Sequence, residues 1–238
     1  MRTLLRRRTA IGDLTDDQRR ITWQAASLLL DYPDDDLVSR LDLVHRGSDA
    51  LPSVLAEPLR RTVAELASAP LSELQAEYVE TFDRRRQHAL FLTYFTHGDT
   101  RRRGMALLRF AEAYAASGYV LTAAELPDHL CVVLEYGATV DAAVAHRLLC
   151  DHRAGLEVLR RALVGEGARW AGALEAVCAT LPALAGDEAA AVEALIAAGP
   201  PEEEVGLTPY GTPGFDVGPA VPAPAAPVDL PMPGLRRG

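Results

Sequence analysis

Apolar residues recur at helical spacing along most of the chain, and alternating Val/Ile/Thr runs of the kind that build strands are scarce. Ala, Leu, Arg and Glu fill most positions between breakers, which makes the expected fold class all-α. Thr15 or Asp16 is placed to cap a first helix with Ile21, Ala25, Leu28 and Tyr32 inward, ended by Pro33. A short second helix follows from residues 34–36 with Leu37, Leu41 and Val44 on one side, and a third spans residues 54–67 with Pro58 inside it. After Pro70 a fourth helix aligns Leu74, Tyr78, Val79 and Phe82, whereas residues 84–98 have no clear period and read as a long loop. Asp99 or Thr100 then caps a fifth helix to about Tyr119, whose stripe of Gly104, Leu107, Leu108, Ala111, Tyr114, Ala115 and Gly118 predicts close helix–helix approach. Pro127 suits the first turn of a sixth, with Leu130, Val133, Leu134 and Gly137 inward. A long seventh, with a break near Gly155, carries Val144, Leu148, Leu156, Leu159 and Leu163. Trp170, Leu174, Val177 and Leu181 mark an eighth, and Val192, Leu195 and Ile196 close the last before Gly199.

The expected architecture is a single bundle of eight or nine helices over residues 16–199, preceded by a flexible basic segment, residues 1–15. From Pro200 the composition turns to Pro, Gly and Ala, too poor in large apolar groups to offset chain entropy, so residues 200–238 read as a disordered tail. Apolar runs stop short of the roughly 18–20 residues that cross a bilayer, and residues 1–8 lead into no signal-peptide hydrophobic block, so a cytoplasmic location is expected. The three cysteines, Cys131, Cys150 and Cys178, are widely spaced in helical stretches and read as reduced, packed thiols; no paired Cys/His clips suggest zinc, and no metal or other cofactor is expected. All 24 basic residues are Arg, yet 33 acidic residues leave a net charge of −9, which opposes non-specific binding to nucleic acid or anionic lipid.

Two clusters stand out. In residues 96–104, His97, Gly98 and Asp99 precede three arginines and follow the aromatics Phe91, Tyr94 and Phe95. Three readings are open: a helix cap with solvated arginines, an acid–base or metal site using His88, His97 and Asp99, or a phosphate-binding patch. The second cluster, Glu125 to His129, leads to Glu135 and Tyr136; Glu135 lies seven residues after Asp128, which on one helix puts both carboxylates on the same side. No phosphate loop, nucleophile elbow or H-E-x-x-H pair occurs, so an enzyme has little to rest on.

Together, the blocks at residues 77–83 (EYVETFD), 90–94 (LFLTY), 97–106 (HGDTRRRGMA), 125–128 (ELPD) and 134–136 (LEY) resemble the respiratory nitrate reductase assembly chaperones, the NarJ or delta-subunit family. The resemblance implies a helical bundle similar to other molybdoenzyme chaperones. It also implies a non-enzymatic protein that binds the apo catalytic (alpha) subunit of nitrate reductase, through that subunit's N-terminal segment, and permits molybdenum cofactor insertion. Two alternatives are a chaperone for a dimethyl sulfoxide or trimethylamine N-oxide reductase, and a helical metal-dependent hydrolase. On the chaperone reading Tyr78, Phe82, Phe91, Tyr94, Met105 and Tyr114 line an apolar groove, though each suits a core equally well. Asp83, Asp99, Asp128 and Glu135 act as polar selectors or internal clamps, and His97, Arg103 and Glu125 complete the expected contact set.

Overall fold

The computed structural model describes residues 14–121 and 125–199, and these form eleven α-helices with short 3₁₀ and π turns between them. The expectations for residues 1–13 and for the tail from residue 200 lie outside the described residues. The helices are α1 (Asp16–Leu30), α2 (Leu37–Gly47), α3 (Ser53–Ala67), α4 (Leu71–Tyr78), α5 (Tyr94–His97), α6 (Arg101–Ala116), α7 (Leu130–Thr139), α8 (Ala142–Asp151), α9 (Arg153–Glu166), α10 (Ala171–Ala179) and α11 (Gly186–Ala198). The all-α reading therefore holds, with more and shorter helices than the apolar period alone suggests.

α1 opens on a capping box, the Thr15 side chain accepting from the Gln18 N–H at 3.1 Å and the Gln18 side chain accepting from the Thr15 N–H at 3.0 Å. It then runs through the centre of the bundle against α7, α10, α2 and α3, so it is buried on more sides than one stripe predicts. Trp23, Ala26, Leu29 and Leu30 are its core residues, while Tyr32, expected inside, is exposed. The buried Trp23 indole N–H donates to Thr180 Oγ1 at 2.9 Å, and Ser27 Oγ donates to the Cys131 carbonyl at 3.0 Å, tying α1 to its neighbours without orphaning polar groups.

Close approach occurs, but not on α6. Gly104 and Gly118 have open space where a Cβ would stand, and α6 buries only Ala106, Phe110 and Tyr114, one residue per turn. Of the expected α6 stripe Tyr114 is buried, but the rest is turned away from the inner face, and Leu108 on it is exposed. The tight contacts lie at Gly137, where a Cβ would meet Ala145 Cβ at 2.5 Å and the Trp23 ring at 2.8 Å, and at Gly172, against the Pro58 carbonyl oxygen at 2.2 Å. At Gly155 a Cβ would sit 2.9 Å from Phe95. α9 continues through Gly155, and the break expected there falls earlier, at His152.

Three cysteines are free thiols, and burial raises the pKa of each. On α9 the nearly buried Arg153 donates to the Pro182 carbonyl at 3.4 Å and lies 3.5 Å from Glu157, which also accepts from Arg160 and Arg161. Burial alone would raise the Glu157 pKa, but the hydrogen bonds from Arg160 and Arg161 hold it at about 2.

Candidate functional site

The segment before α6 is not a loose loop. A π turn (Val79–Asp83) and a 3₁₀ turn (Arg86–His88) lead into an extended stretch, in which Phe91 forms an isolated antiparallel bridge with His129. The Leu92 N–H donates to the Asp128 carbonyl at 3.0 Å and the Leu130 N–H to the Leu90 carbonyl at 2.7 Å, so the two sequence clusters are laced together across 35 residues of chain. The bridge ends the chain segment in front of α7, which starts at Leu130 with His129 at its N-cap; Pro127 lies before the helix rather than at its first position.

Asp128 is the centre of this lacing. It is 0% exposed, and its Oδ2 accepts from the Thr93 N–H at 3.1 Å and from Thr93 Oγ1 at 2.5 Å. Thr93 Oγ1 in turn accepts from Arg103 Nε at 3.2 Å, and Arg103 Nη2 stands 3.8 Å from Asp128 Oδ2. The guanidinium lies 5.1 Å from the Phe91 ring centre and 5.9 Å from that of Tyr94, within cation–π range of both. One arginine thus joins α6 to the extended segment and to the residue before α7.

Asp99 does not cap α6. Thr100 occupies the N-cap with no side-chain hydrogen bond, and Asp99 is an exposed partner of Arg103 Nη1 at 3.1 Å, four residues on. Asp128 and Glu135 do not share a face either, because Asp128 precedes α7 and points inward while Glu135 is exposed on it. Tyr78 and Phe82 sit in a buried aromatic group with Trp170, ring centres 4.7–5.5 Å apart, and the Tyr78 hydroxyl donates to the Leu30 carbonyl at 2.9 Å. They shape the core. Tyr94 is buried, Phe91 and His97 are half-buried, and Asp83, Met105 and Glu125 are exposed.

An apolar cleft of about 180 Å³ opens between the end of α6 and α7, lined by Tyr114, Tyr119, Val120, Leu121, Val132, Glu135, Tyr136, Thr139 and Val140. Of the expected contact residues it brings together Tyr114 and Glu135. Tyr114 anchors its floor: the hydroxyl donates to the Pro127 carbonyl at 2.7 Å, and the ring lies 4.6 Å from that of Tyr136, whose own hydroxyl pairs with Ser117 Oγ at 2.6 Å. Burial, then the nearby Asp128 and Tyr136, push the Tyr114 pKa well up, so its hydroxyl stays protonated and serves as a hydrogen-bond donor. The cleft is below the roughly 300–1,000 Å³ usual for a small-molecule site, and suits one or two apolar side chains of a larger partner. Among the described residues that line it, Glu135 is the acidic one.

Sequence reasoning missed Val132, Tyr119 and Val120 on this cleft, and missed Thr93 and His152 near the clamp. The exposed pair Tyr119–Val120 directly after Gly118 was the available signal for the cleft, since large apolar groups beyond a helix end need a surface to rest on. His152 lies beside Phe110 with ring centres 5.4 Å apart, and burial lowers its pKa. The histidines assigned to a hydrolase do not make a metal centre: His88 is buried with Nδ1 2.9 Å from the Thr81 carbonyl, and among the described residues no three His, Cys, Asp or Glu side chains are grouped to hold a metal ion. Nor is any helix among the described residues long and apolar enough to cross a membrane.

Known proteins place this arrangement. A redox enzyme maturation protein of known structure from Archaeoglobus fulgidus shares the fold, with a TM-score of 0.50 at 24% identity over 67% of this chain and 91% of that one. The nitrate reductase-like protein NarX of Mycobacterium tuberculosis is 39% identical over 71% of this chain, which spans 26% of the mycobacterial protein's length. The nitrate reductase molybdenum cofactor assembly chaperones NarJ of Bacillus subtilis and Escherichia coli are 30% identical over 68% of this chain and 34% identical over 61% of it, covering 89% and 63% of their own lengths. The clamp and the cleft both lie within residues 48–176, which match the nitrate reductase delta subunit family, and it is to that family that the chain belongs.

Proposed function

We propose that the chain is an assembly chaperone, not a catalyst, that binds the apo catalytic subunit of nitrate reductase and keeps it competent to receive its molybdenum cofactor. The observation that carries this reading is the similarity, at 30–39% identity, to relatives named for nitrate reductase and for molybdenum cofactor assembly. The cleft gives the reading a physical form. Its Tyr114, Val132 and Tyr136 walls accept apolar side chains from the N-terminal segment of the subunit, and Glu135 at the lip favours a basic residue beside them. Phe91, Tyr94, Asp99 and Arg103 then act by holding the wall of the cleft in place, together with the buried Asp128.

A synthetic peptide copying that N-terminal segment tests the proposal. By calorimetry it should bind the purified chain alone, with a negative heat-capacity change from apolar burial. Val132→Arg should abolish binding, and Glu135→Gln should weaken it at low ionic strength only, because an exposed charge is screened by salt. A chain that captures the whole catalytic subunit yet ignores the peptide would move recognition to the folded part of that subunit.

A further inference from the structure

A second apolar groove, of about 530 Å³, lies away from the cleft between α2 and the α3–α4 junction. Its floor is Leu37, Leu41, Val63, Leu66 and Leu71, and along its α2 edge stand Asp35, Val38, Asp42 and His45. All four are exposed, Val38 by 70%; Val38, Asp42 and His45 share one side of α2 by their spacing of four and three residues, and Asp35 stands in the turn just before the helix. Asp34 is engaged by Arg40 at 2.5 Å, but Asp35 and Asp42 make no ion pair with another described residue.

The outward face of α6 carries the matching pattern. Arg102, Met105, Arg109 and Glu112 are exposed, Met105 by 68%, and follow the same spacing of three, four and three. Set parallel, the two helices pair Met105 with Val38, Arg109 with Asp42 and Glu112 with His45, and they bring Arg102 toward Asp35 in the turn before α2. The antiparallel register would oppose Glu112 to Asp35 and set Met105 against Asp42, and like charges or a charge against an apolar group are unfavourable. We therefore propose that the α2 groove is a self-association surface that receives α6 of a second copy of this chain, Met105 entering the apolar floor beside Val38. Different patches meet, so the contact is head-to-tail. It is independent of the chaperone reading, since neither stripe lines the cleft at α7.

Sedimentation velocity on the full chain tests this. The wild-type chain should self-associate in a concentration-dependent way at low ionic strength and dissociate in about 1 M salt, where screening reaches to about 3 Å. Asp35→Arg with Asp42→Arg, and separately Arg102→Glu with Arg109→Glu, should each raise the dissociation constant by roughly 5- to 30-fold or more, the effect of losing two exposed ion pairs. Mixing the two charge-reversed chains one to one should restore association, and Val38→Arg should prevent it while helical content is retained, because all these positions are exposed. A wild-type chain that stays monomeric overturns the proposal, as does association that survives either reversal or a mixture that fails to recover it. Peptide binding at the cleft, measured on the same variants, should not change.

Discussion

Replacing Asp128 should be the most damaging single polar change in the chain, and its size can be worked from the clamp. The carboxylate is fully buried and receives both the N–H and the hydroxyl of Thr93, at 3.1 and 2.5 Å, with Arg103 Nη2 at 3.8 Å. Asp128→Ala removes one partner and leaves the others: two orphaned Thr93 donors and an arginine whose side chain is only 15% exposed. Breaking a buried pair from one side costs about 3–5 kcal/mol, so a loss near that range is expected. Asp128→Asn keeps a carbonyl acceptor for Thr93 but no charge, and should cost about 1–1.5 kcal/mol, the gap between charged and neutral hydrogen bonds.

Urea denaturation followed by circular dichroism reads both values, with an unchanged denaturant slope expected because the unfolded surface is the same. Combining Asp128→Ala with Arg103→Leu should cost less than the sum of the single changes by about 0.5–3 kcal/mol, since once Asp128 is gone Arg103 loses its buried charge partner and keeps only the exposed Asp99. Additivity to within about 0.5 kcal/mol would refute the coupling, and an Asp128→Asn chain as stable as wild type would show that the buried carboxyl does not work as an anion.

Gly137→Ala should cost about 1–3 kcal/mol by thermal or urea unfolding, as its Cβ would stand 2.5 Å from Ala145 Cβ and 2.8 Å from Trp23; Gly104→Ala, in open space, should be neutral or slightly stabilising. Glu157 titrates at about 2 against an ordinary 4.5, so its contribution is fully present above pH 4.5 and fades as pH falls toward 2. The stability gap between wild type and Glu157→Gln should therefore be widest above pH 4.5 and close below it; a gap that grows on acidification would reverse the assigned sign.

The all-α class and most helix positions were legible because apolar period, caps and breakers are local signals: Thr15 with Gln18, Pro33, Pro70 and Gly199 each act within a few residues. Of the inner face of α6 only Tyr114 was legible. Leu107, Leu108 and Ala111 are as apolar as Ala106 and Phe110, and only the position of the neighbouring helices selects between them. Of the two roles the sequence left open for Asp128, selector or internal clamp, it could not choose the second, for the same reason. In sequence it resembles a solvent-facing helix-start residue, and what buries it is Leu90–Thr93, which the chain brings alongside through a two-bond bridge with no strand pattern to announce it. Asp99, in the most distinctive block, read as a cap because its position is right for one; Arg103, four residues later, takes its carboxylate instead.

These placements bear on how a binding wall can adapt without cost to the core. α6 is held to the bundle by one narrow apolar stripe, Ala106, Phe110 and Tyr114, and by polar ties near its two ends, Arg103 to Thr93 and Tyr114 to the Pro127 carbonyl. By contrast α1, α7 and α10 are locked by fully buried side chains and by glycines that admit no added methyl. Elements with few buried contacts open at lower free energy than the core. α6 should therefore open before α1, α7 and α10, its amides exchanging hydrogen ahead of those of Trp23, Leu134 and Leu174, and on the proposed chaperone reading that movement is what would widen the cleft. The polar ties set the limit of that movement: Arg103 links α6 through Thr93 to Asp128, on the chain that leads into α7, so the two walls of the cleft are joined at the clamp and separate at the Tyr119–Val120 end.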